Sequence, residues 1–131
     1  FISDIVDPSV GIKKLKKVSK TVVQNNRPFK GFNFFNEDDM NILQTVMSGE
    51  FTIRGFQNKN LRGKLKNYSS SQISRTLKRL HTHGMIKKVA HTYKYYLTRF
   101  GSQVITMGMK VKTMVIICSR LLALFLLKPW L

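Results

Sequence analysis

The sequence predicts a mainly α-helical domain with one small β-hairpin, an α+β fold. Three observations carry this. Apolar residues recur at helical spacing in short segments between residues 36 and 83. The last segment, "SSSQISRTLKRLHTHG", opens with a Ser-x-x-Gln capping box and closes on Gly84. The alternation then changes to period two in "MIKKVAHTYKYYLT".

Each element has its own signal. "FISDIVD" reads as the end of a helix and "DPSVG" as a turn. Ile12, Leu15 and Val18 give "IKKLKKVSK" a short amphipathic helix. "TVVQNNRPFKGFNFF" reads as an extended connection, because Pro28 and Gly31 break a helix. Residues 1–35 are therefore expected to be a linker or the remnant of a preceding domain. Asn36 is a good N-cap, and Glu37, Asp38 and Asp39 fill a first turn where the helix dipole favours negative charge. That position explains the acid cluster better than a metal or catalytic role. Met40, Leu43, Val46 and Met47 form its apolar face, and Gly49 ends the helix.

"FTIRGF" (51–56) has strand composition. Asn58 is placed to cap a short helix carrying Leu61 and Leu65, which Gly63 weakens. Ser69 and Gln72 box the start of the next helix, and Ile73, Leu77 and Leu80 are its buried stripe. A tight hairpin follows, with Ala90, His91 and Thr92 between its strands. Thr98 caps a last helix through "RFGSQVITMGMKVKTM".

Charge is distributed unevenly. The chain carries 23 Lys and Arg against 6 Asp and Glu. Residues 1–50 hold seven bases and all six acids, whereas residues 51–131 hold sixteen bases and no acid. Such one-sided charge opposes compaction by self-repulsion, so a polyanionic partner is expected, either nucleic acid or an anionic membrane. A merely soluble surface keeps both signs interspersed. Cys118 is alone, which excludes an internal disulfide and fits a cytoplasmic location. No N-terminal signal pattern is visible, and the chain opens at Phe1 rather than Met, as expected of a piece of a longer protein.

Catalytic and metal chemistry find little support. No nucleophile–base set or Gly-rich phosphate loop is present, and no carboxylate follows Glu50. Of His81, His83 and His91, the first two diverge by about 200 degrees on a helix and cannot easily share a metal. Neither an enzyme nor a cofactor is expected.

The order helix, short strand, helix, tight break, helix, hairpin resembles the winged helix-turn-helix DNA-binding domain of the MarR/ArsR-like superfamily. "LRGKL" before "SSSQISRTLKRLHTHGMIKK" is similar to its helix pair, with Gly84-Met85-Ile86 where such domains often place Gly-Leu-Ile. "YKYYLTRFG" resembles the Tyr-x-Leu-Thr-x-x-Gly that closes the wing. The match covers about residues 36–108, and residues 1–117 look similar to the C-terminal part of larger bacterial proteins. Two features depart from the pattern. Ala90 stands where a wing-tip Gly is expected, and the tail after Ile117 reads "CSRLLALFLLKPWL".

The resemblance implies a non-enzymatic module for double-stranded DNA, with helix 70–83 in the major groove and hairpin 86–97 on the backbone or minor groove. Ser71, Arg75, Lys78, Arg79 and Thr82 lie opposite the buried stripe, with Gln72 at its edge. Ser71, Gln72, Arg75 and Arg79 are the candidates for base readout, Arg75 first, because Arg pairs with guanine and Gln with adenine through two hydrogen bonds. Gln72 competes with its own capping role, and Arg79 is also a candidate for phosphate. Arg62, Lys64, Ser69, Ser70, Lys78, Lys87, Lys88, His91, Thr92 and Lys94 are candidates for the DNA backbone.

The rival expectations are a solvated basic face, an RNA-binding module using Tyr93, Tyr95 and Tyr96, a protein-interaction domain of the same fold, and a membrane-surface protein. Residues 109–131 are expected to be an apolar helix or tail. Arg120 interrupts its apolar run, so burial in a homodimer or against a preceding region is favoured over spanning a membrane.

Overall fold

The computed structural model describes residues 8–127. The helix end expected in residues 1–7 lies outside the described residues, as does the "KPWL" terminus. The described chain is mainly helical, with two small antiparallel hairpins.

Helix α1, Pro8–Ser19, starts where a turn was expected. Proline suits a first helical turn, since its missing N–H would be unpaired there anyway. Val18 is buried, Leu15 packs at the edge of the core, and Ile12 remains exposed. Strands β1 (Val22–Gln24) and β2 (Arg27–Phe29) then pair antiparallel, Val22 opposite Phe29 and Gln24 opposite Arg27. Asn25 and Asn26 turn the corner at φ 51° and 59°. A two-residue turn with positive φ at both positions matches the strand twist, and Asn tolerates that conformation.

Within the segment expected to be a linker or the remnant of a preceding domain, residues 8–35 pack against the later helices. Phe32 N–H donates to the Val18 carbonyl at 3.0 Å. Phe32, Phe34 and Val18 belong to the same core as the later helices. Aromatic burial of this size outweighs the freedom of a linker.

Helix α2, Glu37–Val46, is capped by Asn36, whose side chain accepts from Asp39 N–H at 3.1 Å. It buries Met40, Leu43 and Val46 as expected, and Ile42 as well. Gly49 does not end it. Gly49 opens α3, Gly49–Arg54, a six-residue helix where "FTIRGF" was expected to form a strand. Strand propensity needs a partner edge. The edge that is present, at Tyr95, is taken by Phe56 alone, which exchanges both backbone bonds with it at 2.9 and 2.8 Å. Gly55 at φ 71° separates the helix from that bridge.

Helix α4, Asn58–Lys64, is capped one residue earlier than expected, by Gln57, whose N–H donates to Asn60 Oδ1 at 2.8 Å. Asn58 instead reaches across to α5, Ser70–Thr82, donating to Ser74 Oγ at 2.8 Å. The α5 capping box forms as expected between Ser69 and Gln72, and Gly84 follows the helix at φ 75°. Ile73, Leu77 and Leu80 are buried.

Strands β3 (Ile86–Lys88) and β4 (Tyr95–Leu97) form the expected hairpin, with Ile86 opposite Leu97. Its tip turns where Thr92 N–H donates to the Val89 carbonyl at 3.2 Å. The left-handed residue there is His91, at φ 59°, so the position that favours glycine is His91 and not Ala90. Thr98 caps α6, Arg99–Leu127, by accepting from Gly101 N–H at 2.9 Å. Its hydroxyl also lies 2.8 and 3.0 Å from the Gly84 and Met85 carbonyls, tying the end of α5 to the start of α6. A Cβ on Gly101 would stand 2.2 Å from the Met85 carbonyl oxygen, so this close approach requires glycine.

Helix α6 is continuous through the boundary expected near residue 108. Val104 and Ile105 are fully buried, and α1 packs alongside, where Lys14 Nζ donates to Gln103 Oε1. From Thr113 to Leu126 every side chain is exposed, an overhang of about 20 Å at 1.5 Å per residue. No described helix is long and apolar enough to cross a membrane.

Candidate nucleic-acid interface

Helix α5 presents two faces. Ile73, Leu77 and Leu80 seat it on α4 and α2, with Leu61 and Leu43 fully buried in the same core. Ser71, Arg75 and Lys78 are exposed on the opposite side, and Thr82 continues their line. At about 100 degrees per residue these four fall within roughly 60 degrees of one another. The side chains of Arg75 and Lys78 make no hydrogen bond or ion pair with any described residue. Their cations are thus available to solvent or to a ligand.

Arg79, expected as a candidate for base readout or phosphate, is placed differently. Its guanidinium points inward. Nη1 and Nη2 meet the two carboxylate oxygens of Asp39 at 2.9 and 3.1 Å, and Nε donates to the Lys30 carbonyl at 2.8 Å. Nη2 also donates to the Gly31 carbonyl, and the guanidinium lies 3.9 Å above the Phe32 ring. Arg79 sits at the edge of the exposed stripe, where a long side chain can reach a neighbouring element. Asp39 is nearly buried, and a buried carboxylate requires a cation. Burial alone would raise the Asp39 pKa. The Arg79 hydrogen bonds, the Asn33 amide and the charges of Arg79 and Lys30 outweigh it and hold the carboxyl below its usual value.

Three further candidates are engaged inside the fold. Gln72 Oε1 accepts from Ser69 N–H at 2.7 Å, so its side chain caps the helix and is not free to read adenine. Ser69 Oγ accepts from Gln72 N–H at 3.3 Å and lies 3.1 Å from Ser71 Oγ. Lys64 pairs with Glu50 at 3.0 Å and lies over Phe51, an exposed arrangement in which the carboxylate competes with a polyanion for the cation.

The hairpin holds the remaining candidates outward. Lys87, Lys88, His91 and Thr92 are exposed, and Arg62 and Ser70 are exposed beside the start of α5. Lys88 lies over Tyr93 at 5.6 Å, and Lys94, half-buried, over Tyr96 at 5.4 Å. Tyr95 is partly buried and packs against Phe56 of the core, while Tyr93 is 81% exposed. No acidic residue lies between Phe51 and Leu131 to oppose this charge.

Protein-family models, curated proteins and solved structures show no match to this chain.

The histidines serve separate ends. His83 is buried edge-on to Phe32, with Nε2 3.0 Å from the Lys30 carbonyl. Burial pushes its pKa down, the Arg79 charge adds to this, and hydrogen bonding to the Lys30 and Phe29 backbone partly opposes it. His81 and His91 are exposed on different elements. Among the described residues no group of three His, Cys, Asp or Glu side chains is placed to hold a metal.

The residues that sequence reasoning missed lie in the β1–β2 hairpin, which touches the end of α5 through Thr82 Oγ1 and Gln24 Oε1 at 3.0 Å. The Asn-Asn pair between two β-branched and aromatic runs was the available signal.

Proposed function

We propose that this chain is a non-enzymatic double-stranded DNA-binding module of the winged helix-turn-helix type, with α5 entering the major groove and the β3–β4 hairpin lying on the backbone. One observation carries the reading. The exposed stripe Ser71, Arg75 and Lys78 is held from behind by a packed core, and the basic hairpin bearing Lys87 and Lys88 follows it in the chain with no acid on either. The order α2, α3, Phe56 bridge, α4, α5, hairpin supports the same reading. Arg75 is the remaining side chain suited to a guanine edge. Arg62, Lys78, Lys87 and Lys88 are suited to phosphate.

The test is filter binding of the purified chain to random duplex DNA, single-stranded DNA and duplex RNA at two salt concentrations. Duplex DNA is expected to bind best, with a log–log salt slope of about −0.9 per phosphate neutralised. A flat salt response removes the reading. The exposure of Tyr93 favours a second one, stacking on unpaired bases, and preferential binding of single strands selects it. A second copy of the chain is the expected partner of the exposed end of α6, whose residues 113–119 carry no charge.

A further inference from the structure

A cleft of about 410 Å³ opens between the β1–β2 hairpin and the C-terminal half of α5. Gln24, Asn25 and Arg27 come from the hairpin, and Lys78, His81 and Thr82 from the helix. The remaining lining residue is Phe29, so two cations and four hydrogen-bonding side chains face one space with no carboxylate among them. Asp39, the carboxylate that α5 contacts, is already paired with both nitrogens of the Arg79 fork. The Thr82 hydroxyl donates within the fold, to Gln24 Oε1 at 3.0 Å or the Lys78 carbonyl at 2.8 Å. The bond to Gln24 leaves the Gln24 amide nitrogen free to donate.

Position gives the cleft its meaning. Lys78 and Thr82 continue the line of Ser71 and Arg75 along α5. A polyanion lying on that line runs into the cleft at the far end of the helix. We propose that the cleft is a phosphate-binding site, in which Arg27 and Lys78 supply charge and the Gln24 and Asn25 amides supply donors. The β1–β2 hairpin then acts as a second arm at the C-terminal end of α5, and its ligand is a phosphodiester of the bound nucleic acid or free phosphate. The phosphodiester form rests on the DNA-binding reading above, whereas the free-phosphate form does not.

Arg27 is exposed and takes no part in the core, so Arg27→Gln keeps the fold. Two measurements on the full chain test the site. The first is the salt dependence of duplex binding for the wild type and Arg27→Gln. The expected result is a slope smaller by about 0.9 in the variant, the value for one phosphate that is no longer neutralised. The second is titration with inorganic phosphate, followed by the amide resonances of Asn25, Arg27 and Thr82. Saturable shifts that Arg27→Gln abolishes, with an unchanged duplex slope, assign the site to free phosphate. An unchanged slope together with no phosphate-dependent shifts overturns the proposal while leaving duplex binding by the wild type intact. Loss of the DNA reading itself is seen separately, as a wild type that binds no duplex.

Discussion

Arg79 grips Asp39 through both carboxylate oxygens, at 2.9 and 3.1 Å, across forty residues of chain. The pair joins α5 to the first turn of α2, and the same guanidinium clasps the Lys30–Gly31 backbone over the Phe32 ring. This one side chain therefore fixes three segments. Arg79→Ala leaves Asp39 without its cation and removes the packing on Phe32. Stability in urea is expected to fall by about 3 kcal/mol. If the proposed DNA binding holds, the folded variant should keep the duplex sequence preference of the wild type, since the Arg79 guanidinium is turned into the fold.

The Asp39 carboxyl is held below its ordinary value of 3.8. Its contribution is complete above that value and is lost as pH falls through the lower folded value. His83 works in the other window. Its pKa is pushed below 6.5, so the fold favours neutral imidazole. Stability is full above 6.5 and declines as pH falls from there toward the lower folded value. Thermal midpoints should thus drop in two stages on acidification. His83→Gln should remove the first stage and Asp39→Asn the second.

The proposed function assigns base reading to Arg75 and positioning to the hairpin lysines. Arg75→Ala should lower affinity for a preferred site by about 1–3 kcal/mol and change random-sequence binding less. Lys88→Ala should weaken both about equally and reduce the salt slope by about one unit. All these variants lose one charge, so equal losses on every sequence show that α5 does not read bases. Gel shifts on a selected and a random duplex decide it.

Gly101 and His91 test the backbone at the base and the tip of the β3–β4 hairpin. Gly101→Ala forces a methyl against the Met85 carbonyl at 2.2 Å and should cost about 2–3 kcal/mol. His91→Gly relieves a left-handed residue at φ 59° and should raise stability by up to about 1 kcal/mol. Denaturant midpoints measure both.

The exposed end of α6 should drive self-association. Leu121→Glu with Leu124→Glu places two charges one turn apart on that overhang. Sedimentation should show a dimer for the wild type and a monomer for the double variant. A wild type that is monomeric at high concentration removes the dimer.

Much of this architecture was legible along the chain, because its signals are local. The Asn36 cap, the Ser69–Gln72 box, the Ile73-Leu77-Leu80 stripe, Gly84 and the Thr98 cap each involve residues within about two helical turns, and the structure holds each of them. The expectations that failed depended on distant partners. "FTIRGF" had strand composition, but the available edge accepted one residue, Phe56. Residues 20–35 lacked helical periodicity, yet Phe32 and Phe34 join Val18 in the same core as α2 and α6. Arg79 looked like its neighbours Arg75 and Lys78 in sequence. Only folding brought a nearly buried carboxylate beside it, and electrostatics then turned a candidate groove contact into an internal tie. Cap and period act over a few residues and can be read in order. The role of a long cationic side chain is settled by which distant anion the tertiary structure takes out of water.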